Sequence, residues 1–151
     1  MDRRRPVFFL TPERGFTLVE IMIVVAIIVL LSAFAIPGIL RSRLSANEAT
    51  AIAALKTIAT GAVAYRSGNP DYPANLSLLT ASYPPYIDTV LGTGVKQGYN
   101  FVLTSGAGYF NVTAWPVTYN ITGTRSFYID ASGVVRTSSS GNASAVSTPI
   151  S

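Results

Sequence analysis

The sequence predicts an α+β protein: a long N-terminal helix, membrane-spanning at first and amphipathic afterwards, packed on a small antiparallel sheet of three to four strands. Three observations predict it. Apolar residues concentrate between Phe16 and Leu40. An Ala-rich stretch with helical spacing then continues to about Tyr65. From Tyr99 onward come short alternating runs separated by Gly-containing turns, the pattern of half-buried strands. A chain of 151 residues suffices for one domain plus an anchor, not for two full domains. The expected division is a segment 1–15 preceding the helix, a helix over 16–66 that spans a membrane at about 16–40, and a headgroup over 67–151. The headgroup divides into a loop region 67–98, a sheet 99–136 and a loose tail 137–151.

Composition removes several function classes. Hydrophobic residues make up 49% of the chain and charged residues 12%, which is too apolar for a disordered protein. There is no Cys and no His, so disulfides, thiolate or imidazole catalysis and the usual zinc sites are excluded. The net charge of +4 does not point to nucleic acid. Arg3, Arg4, Arg5 and Arg14 lie in the first fifteen residues, and no basic stripe interleaved with aromatics follows. The remainder, from Phe16 on, has seven basic and five acidic residues.

At the N-terminus, a small residue, Gly15, comes before the apolar run instead of after it. An ordinary secretory signal has the reverse order. Cleavage after Gly15 would therefore leave the apolar segment on the mature chain. Between Ile21 and Ile36 the one polar residue is Ser32, and the 25 residues from Phe16 to Leu40 exceed the roughly 20 that a helix needs to cross a bilayer. The four N-terminal arginines put that end in the cytoplasm; Arg41 and Arg43 beyond the span weaken the bias without reversing it. Glu20 is the one acid in the span. A carboxylate in oil is costly unless paired, and cleavage after Gly15 would create a cation four residues away, the α-amine of Phe16. That amine could belong to the same chain or to a neighbouring copy. Pro37 and Gly38 end the span or allow a kink, since Pro removes an N–H and Gly adds backbone freedom.

Residues Arg14-Gly15-Phe16-Thr17-Leu18-Val19-Glu20 resemble the prepilin-peptidase site of type IV pilins and type II secretion pseudopilins. The resemblance covers roughly Pro12 to Ala64 and implies three roles. The 1–15 leader would be removed between Gly15 and Phe16, Phe16 would be N-methylated, and Glu20 would be needed for assembly. Pro37 falls where pilins commonly carry a helix-breaking Pro. The implied partners are identical subunits and related minor pilins, the prepilin peptidase, an inner-membrane assembly platform and, before assembly, membrane lipid. The implied location is the bacterial inner membrane for the precursor and an extracellular or periplasmic filament for the product. Major pseudopilins usually carry acidic calcium ligands late in the chain, and no such cluster stands here, so a pilus subunit is the favoured expectation and a pseudopilin the alternative. A single-pass anchored enzyme or binding protein is disfavoured by the missing His and Cys and by the presence of Glu20 in the span; neither a cofactor nor a metal is expected.

Beyond the span, Ser45-Ala46-Asn47-Glu48 fits a capping box that restarts a helix, or else is polar surface on a continuous one. Leu44, Ile52, Leu55, Ile58, Ala59, Ala62 and Val63 define an apolar face; Asn47, Glu48, Lys56, Thr57 and Thr60 are read as the opposite, polar face. Ser67-Gly68-Asn69-Pro70 stops the helix. A continuous helix over 16–66 would be roughly 75 Å long, more than a small domain can cover, so its uncovered half needs lipid or other copies of itself. In the headgroup, Leu76–Leu79 reads as a helical turn, Tyr83–Asp88 as extended, and Gly92-Thr93-Gly94 as a turn. Strands are expected at Tyr99–Leu103, Tyr109–Trp115, Ser126–Asp130 and Val134–Arg136. Asp71, Asp88 and Asp130 are too scattered for a catalytic dyad or a calcium site, and Asp130 reads as a turn residue. The Asn-x-Ser/Thr sequons at Asn75, Asn111, Asn120 and Asn142 are the chance matches of a Ser/Thr-rich chain.

Overall fold

In a computed structural model of the chain, residues 15–150 are described. Residues 1–14, with Arg3, Arg4, Arg5 and Arg14 and all but the last residue of the leader expected over 1–15, lie outside the described residues. A single helix, α1, covers Leu18–Gly68. The chain separates into two compact units, one ending at Gly38 and one covering Ile39–Ser151.

The first unit is the apolar part of α1. Its large side chains from Leu18 to Ile36 are exposed, Phe34 by 83%. Its polar group at Ser32 is satisfied locally, the hydroxyl donating to the Ile28 carbonyl at 2.8 Å. This keeps a lone hydroxyl from being left unpaired in apolar surroundings. Pro37 stands inside the helix and supplies no N–H to the turn before it. The helix is also unbroken at Ser45, so the Ser45–Glu48 box caps no new helix.

In the second unit, α1 packs against a six-stranded antiparallel meander in the order β1-β2-β3-β4-β5-β6. The strands are β1 Val95–Lys96, β2 Tyr99–Gly106, β3 Tyr109–Pro116, β4 Ser126–Asp130, β5 Arg136–Ser138 and β6 Thr148–Pro149. The expected three to four strands therefore become six. The two additional ones, β1 and β6, are two-residue edge strands too short to show alternation in sequence. The last expected strand also shifts from Val134–Arg136 to Arg136–Ser138. Residues 137–150, read as a loose tail, include most of β5 and all of β6; Ala143 is buried and Ile150 packs against the core. Two short helices, α2 (Leu76–Ala81) and α3 (Thr89–Gly92), precede the sheet. Asn75 caps α2, its side chain accepting from Leu78 N at 3.1 Å, and Asp88 caps α3, accepting from Leu91 N at 2.7 Å.

Register explains the core. Phe101 stands opposite Ala114, and Ala114 opposite Phe127; Leu103 faces Val112, and Val112 faces Ile129. These alternate residues are buried, while their neighbours Val102, Thr113 and Tyr128 point to the other face. Ala51, Ala54, Leu55, Ile58, Ala59 and Ala62 of α1 join them in one cluster. The alanines let helix and sheet backbones approach, so Tyr99, Phe110 and Phe127 fill the space between. Val63, read as part of the buried face, is 53% exposed.

Candidate functional site

The N-terminal end of α1 is the first candidate. Thr17 sits just before the helix, and its carbonyl accepts from Ile21 N. Its hydroxyl oxygen accepts from Glu20 N at 3.2 Å, and Glu20 Oε2 reaches back to accept from Thr17 N at 2.9 Å and from the Thr17 hydroxyl at 3.0 Å. This reciprocal arrangement satisfies two donors that a helix start leaves orphaned. It also fixes Glu20 at the first turn, where the helix dipole favours an anion. Glu20 Oε1 makes no hydrogen bond among the described residues, so one oxygen remains available to a cation. Gly15 and Phe16 precede the helix in non-helical backbone, and Phe16 is 85% exposed. Pro37 and Gly38 lie near the end of the apolar segment, 17 and 18 residues after Glu20, and are not brought together with it.

The Thr17 cap is a residue that the sequence reading passed over. Its signal is plain in retrospect: Thr17-Leu18-Val19-Glu20 has the same Ser/Thr-x-x-Glu form as Ser45–Glu48.

The second candidate is Glu48, where the sequence reading is corrected. Glu48 is not on the solvent face of α1; it is 6% exposed and points into the headgroup. Its Oε1 accepts from Thr124 N at 2.9 Å and from the Thr124 hydroxyl at 2.7 Å. Its Oε2 accepts a fork from Arg125, Nε at 2.9 Å and Nη2 at 2.7 Å. Beside it, Asn47 Nδ2 donates to the Thr122 carbonyl at 2.9 Å. The fully buried Tyr99 donates its hydroxyl to the Arg125 carbonyl at 2.9 Å, holding the same stretch from the sheet side. Gly123 is required in this stretch, because any Cβ there would collide with the Tyr99 phenol. Burial pushes the Glu48 carboxyl up, but the Thr124 hydrogen bonds and the Arg125 guanidinium outweigh it and hold the group below the usual carboxylate range. Each Glu48 carboxylate oxygen accepts two hydrogen bonds, so the constellation ties α1 to the stretch before β4.

Two of the three headgroup aspartates are also engaged, while Asp71 is exposed and makes no ion pair among the described residues. Asp88 Oδ2 pairs with Lys96 Nζ at 2.8 Å while its other oxygen caps α3. Asp130 Oδ1 accepts from Ser132 N at 2.8 Å, the turn geometry read from the sequence. Among the described residues, no three His, Cys, Asp or Glu side chains come together to hold a metal.

Comparison with known proteins bears on the N-terminal segment most directly. A family model described as the prokaryotic N-terminal methylation motif matches residues 10–36. The chain is 31% identical over 106 residues to the type IV wide pilus major component PilA4 of Thermus thermophilus, a match covering 68% of this chain and 78% of that one. It is 28% identical over 88 residues to the type II secretion system core protein G of Escherichia coli, covering 58% of this chain and 61% of that one.

Proposed function

The chain belongs to the family of type IV pilins and type II secretion pseudopilins, and from that premise we propose that it is the precursor of a structural subunit of a type IV pilus. The prepilin peptidase cuts between Gly15 and Phe16, and the new Phe16 amine is N-methylated. The subunit leaves the inner membrane, where its N-terminus is cytoplasmic, through an assembly platform, and joins identical subunits and minor pilins in a filament. Pro37 and Gly38 let the apolar helix bend or unwind during that transfer.

One observation carries this reading: an apolar helix segment whose large side chains are exposed among the described residues, with a single carboxylate at its start. Glu20 keeps its second oxygen for the Phe16 amine of a neighbouring copy. Unpaired charge in apolar surroundings costs several kcal/mol, so this pairing selects one stagger between subunits. The pilin reading is favoured over the pseudopilin by the greater coverage and identity of the pilus relative, and by the engagement of Asp88 and Asp130 in local structure. The similarity to the secretion core protein keeps the pseudopilin as the second reading.

Intact mass and N-terminal sequencing of filaments sheared from the cell surface test the proposal. The expected dominant species starts at methylated Phe16. Absence of the chain from surface filaments, with a processed form in the envelope, would favour the pseudopilin; a chain retaining its first fifteen residues would contradict both.

A further inference from the structure

The segment between β3 and β4 carries three large apolar side chains within five residues, all directed to solvent: Val117 is 52% exposed, Tyr119 40% and Ile121 71%. Exposure here does not reflect a loose loop. Val117 N donates to the Gly98 carbonyl, Ile121 N and Thr122 N both donate to the Thr118 carbonyl, and Thr118 N donates to the Thr122 hydroxyl. The apolar tip is held in place, and no charged residue occurs between Val117 and Thr124.

Its position along α1 is set by the contacts already described. Asn47 binds the Thr122 carbonyl and Glu48 binds Thr124, and Glu48 is the first buried residue of α1. The loop therefore stands at the end of the headgroup where α1 enters it. Leu40, the last residue of the apolar segment, is seven residues before Asn47, about 10 Å along the helix. Arg43 is four residues before Asn47 and Arg41 seven before Glu48, so both lie on the helix face beneath the loop. Both arginines are exposed, and neither forms an ion pair among the described residues.

We propose that the Val117–Ile121 loop docks on an anionic lipid surface, together with Arg41 and Arg43, while the subunit waits in the membrane before assembly. This rests on the reading that the segment ending near Leu40 spans a bilayer. Ile121 and Val117 enter the headgroup layer, Tyr119 sits at its boundary with hydroxyl to water, and the two arginines bind lipid phosphates. Charge favours lipid over another copy of the chain. Of the headgroup's three aspartates, Asp88 already holds Lys96 and Asp130 already closes its turn, leaving Asp71, just past the other end of α1, as one acid for two arginines. Docking would orient the headgroup against the membrane, and entry into a filament would have to release it.

The chain has no Cys, so single cysteines carry a unique polarity-sensitive fluorophore. Three full-length variants, Ile121→Cys, Leu30→Cys and Ala131→Cys, are reconstituted at low density in vesicles of phosphatidylethanolamine and phosphatidylglycerol containing a shallow nitroxide-lipid quencher. Ala131 lines a groove with Val63, Ala64 and Ser67, far up α1 from Asn47. The Ile121 label should be blue-shifted and quenched, and the Ala131 label should behave as in water. Replacing both arginines (R41Q, R43Q) should reduce the quenching of the Ile121 label. An Ile121 label that matches Ala131 while Leu30 stays shielded from water would overturn the docking and leave the span intact. A blue shift that develops only as subunits are crowded into each vesicle would assign the loop to another copy instead. A Leu30 label exposed to water would remove the span, and the docking with it.

Discussion

The two parts of α1 differ in apolar content, 17 of 19 residues from Leu18 to Ile36 against 9 of 15 from Glu48 to Ala62, and have opposite surroundings. From Glu48 to Ala62 the helix buries six apolar side chains against its own sheet, and its carboxylate there has every oxygen occupied. Among the described residues, the large apolar side chains between Leu18 and Ile36 are exposed, and Glu20 has one oxygen satisfied and one not. The difference teaches where the chain is complete by itself. Glu48 is a charge neutralised at home by Thr124 and Arg125. Glu20 is a charge whose counterpart the described chain does not provide, on a surface that water does not tolerate.

Substitutions can break this contrast on either side, and their expected effects on headgroup stability fall in order. Stability is read by thermal or urea unfolding of the full chain in detergent, followed through Trp115, the single tryptophan, on β3. Leu55→Ala should cost the most, about 3 kcal/mol, because Leu55 is fully buried and leaves a cavity between helix and sheet. Glu48→Gln should cost about 2 kcal/mol. That is less than for a fully buried pair, because the Arg125 side chain is 44% exposed and water can take over part of its charge. The same pair predicts a pH dependence. The Glu48 pKa is lowered in the folded state, so its contribution is complete above the unfolded carboxylate value near 4.5 and is lost as pH falls through the lower folded value. Wild-type unfolding temperature should drop over that acidic window, with a smaller drop in Glu48→Gln. Asp88→Ala should cost about 1 kcal/mol through loss of the α3 cap. Leu30→Ala should leave headgroup unfolding unchanged within about 0.5 kcal/mol.

The sequence was most informative where one physical requirement acts alone. The span is legible because a bilayer demands an uninterrupted apolar run, and β2 to β4 because burial on one face imposes strict alternation on Phe101, Leu103, Val112 and Ile129. It was least informative where a distant partner decides. Glu48 has the spacing of a capping residue and lies beside solvent-facing positions, so nothing local reveals that Arg125, 77 residues away, draws it inward. Thr17–Glu20 and Ser45–Glu48 spell the same motif, yet only the first caps a helix, because the second sits inside one already formed. The edge strands β1 and β6 escaped because two residues carry no periodicity and their pairing depends on neighbours already in place. The polar Ser-rich composition of the last fifteen residues likewise hid Ala143 and Ile150, which reach the core one residue at a time.

Glu20→Gln separates charge from structure, since glutamine can still close the box with Thr17 and leaves the headgroup untouched. The decisive measurement is the filament yield of this variant, by shearing and electron microscopy, beside its headgroup unfolding. Loss of filaments with wild-type unfolding is the expected result. Filaments at wild-type yield would contradict the requirement for a charge pair between copies.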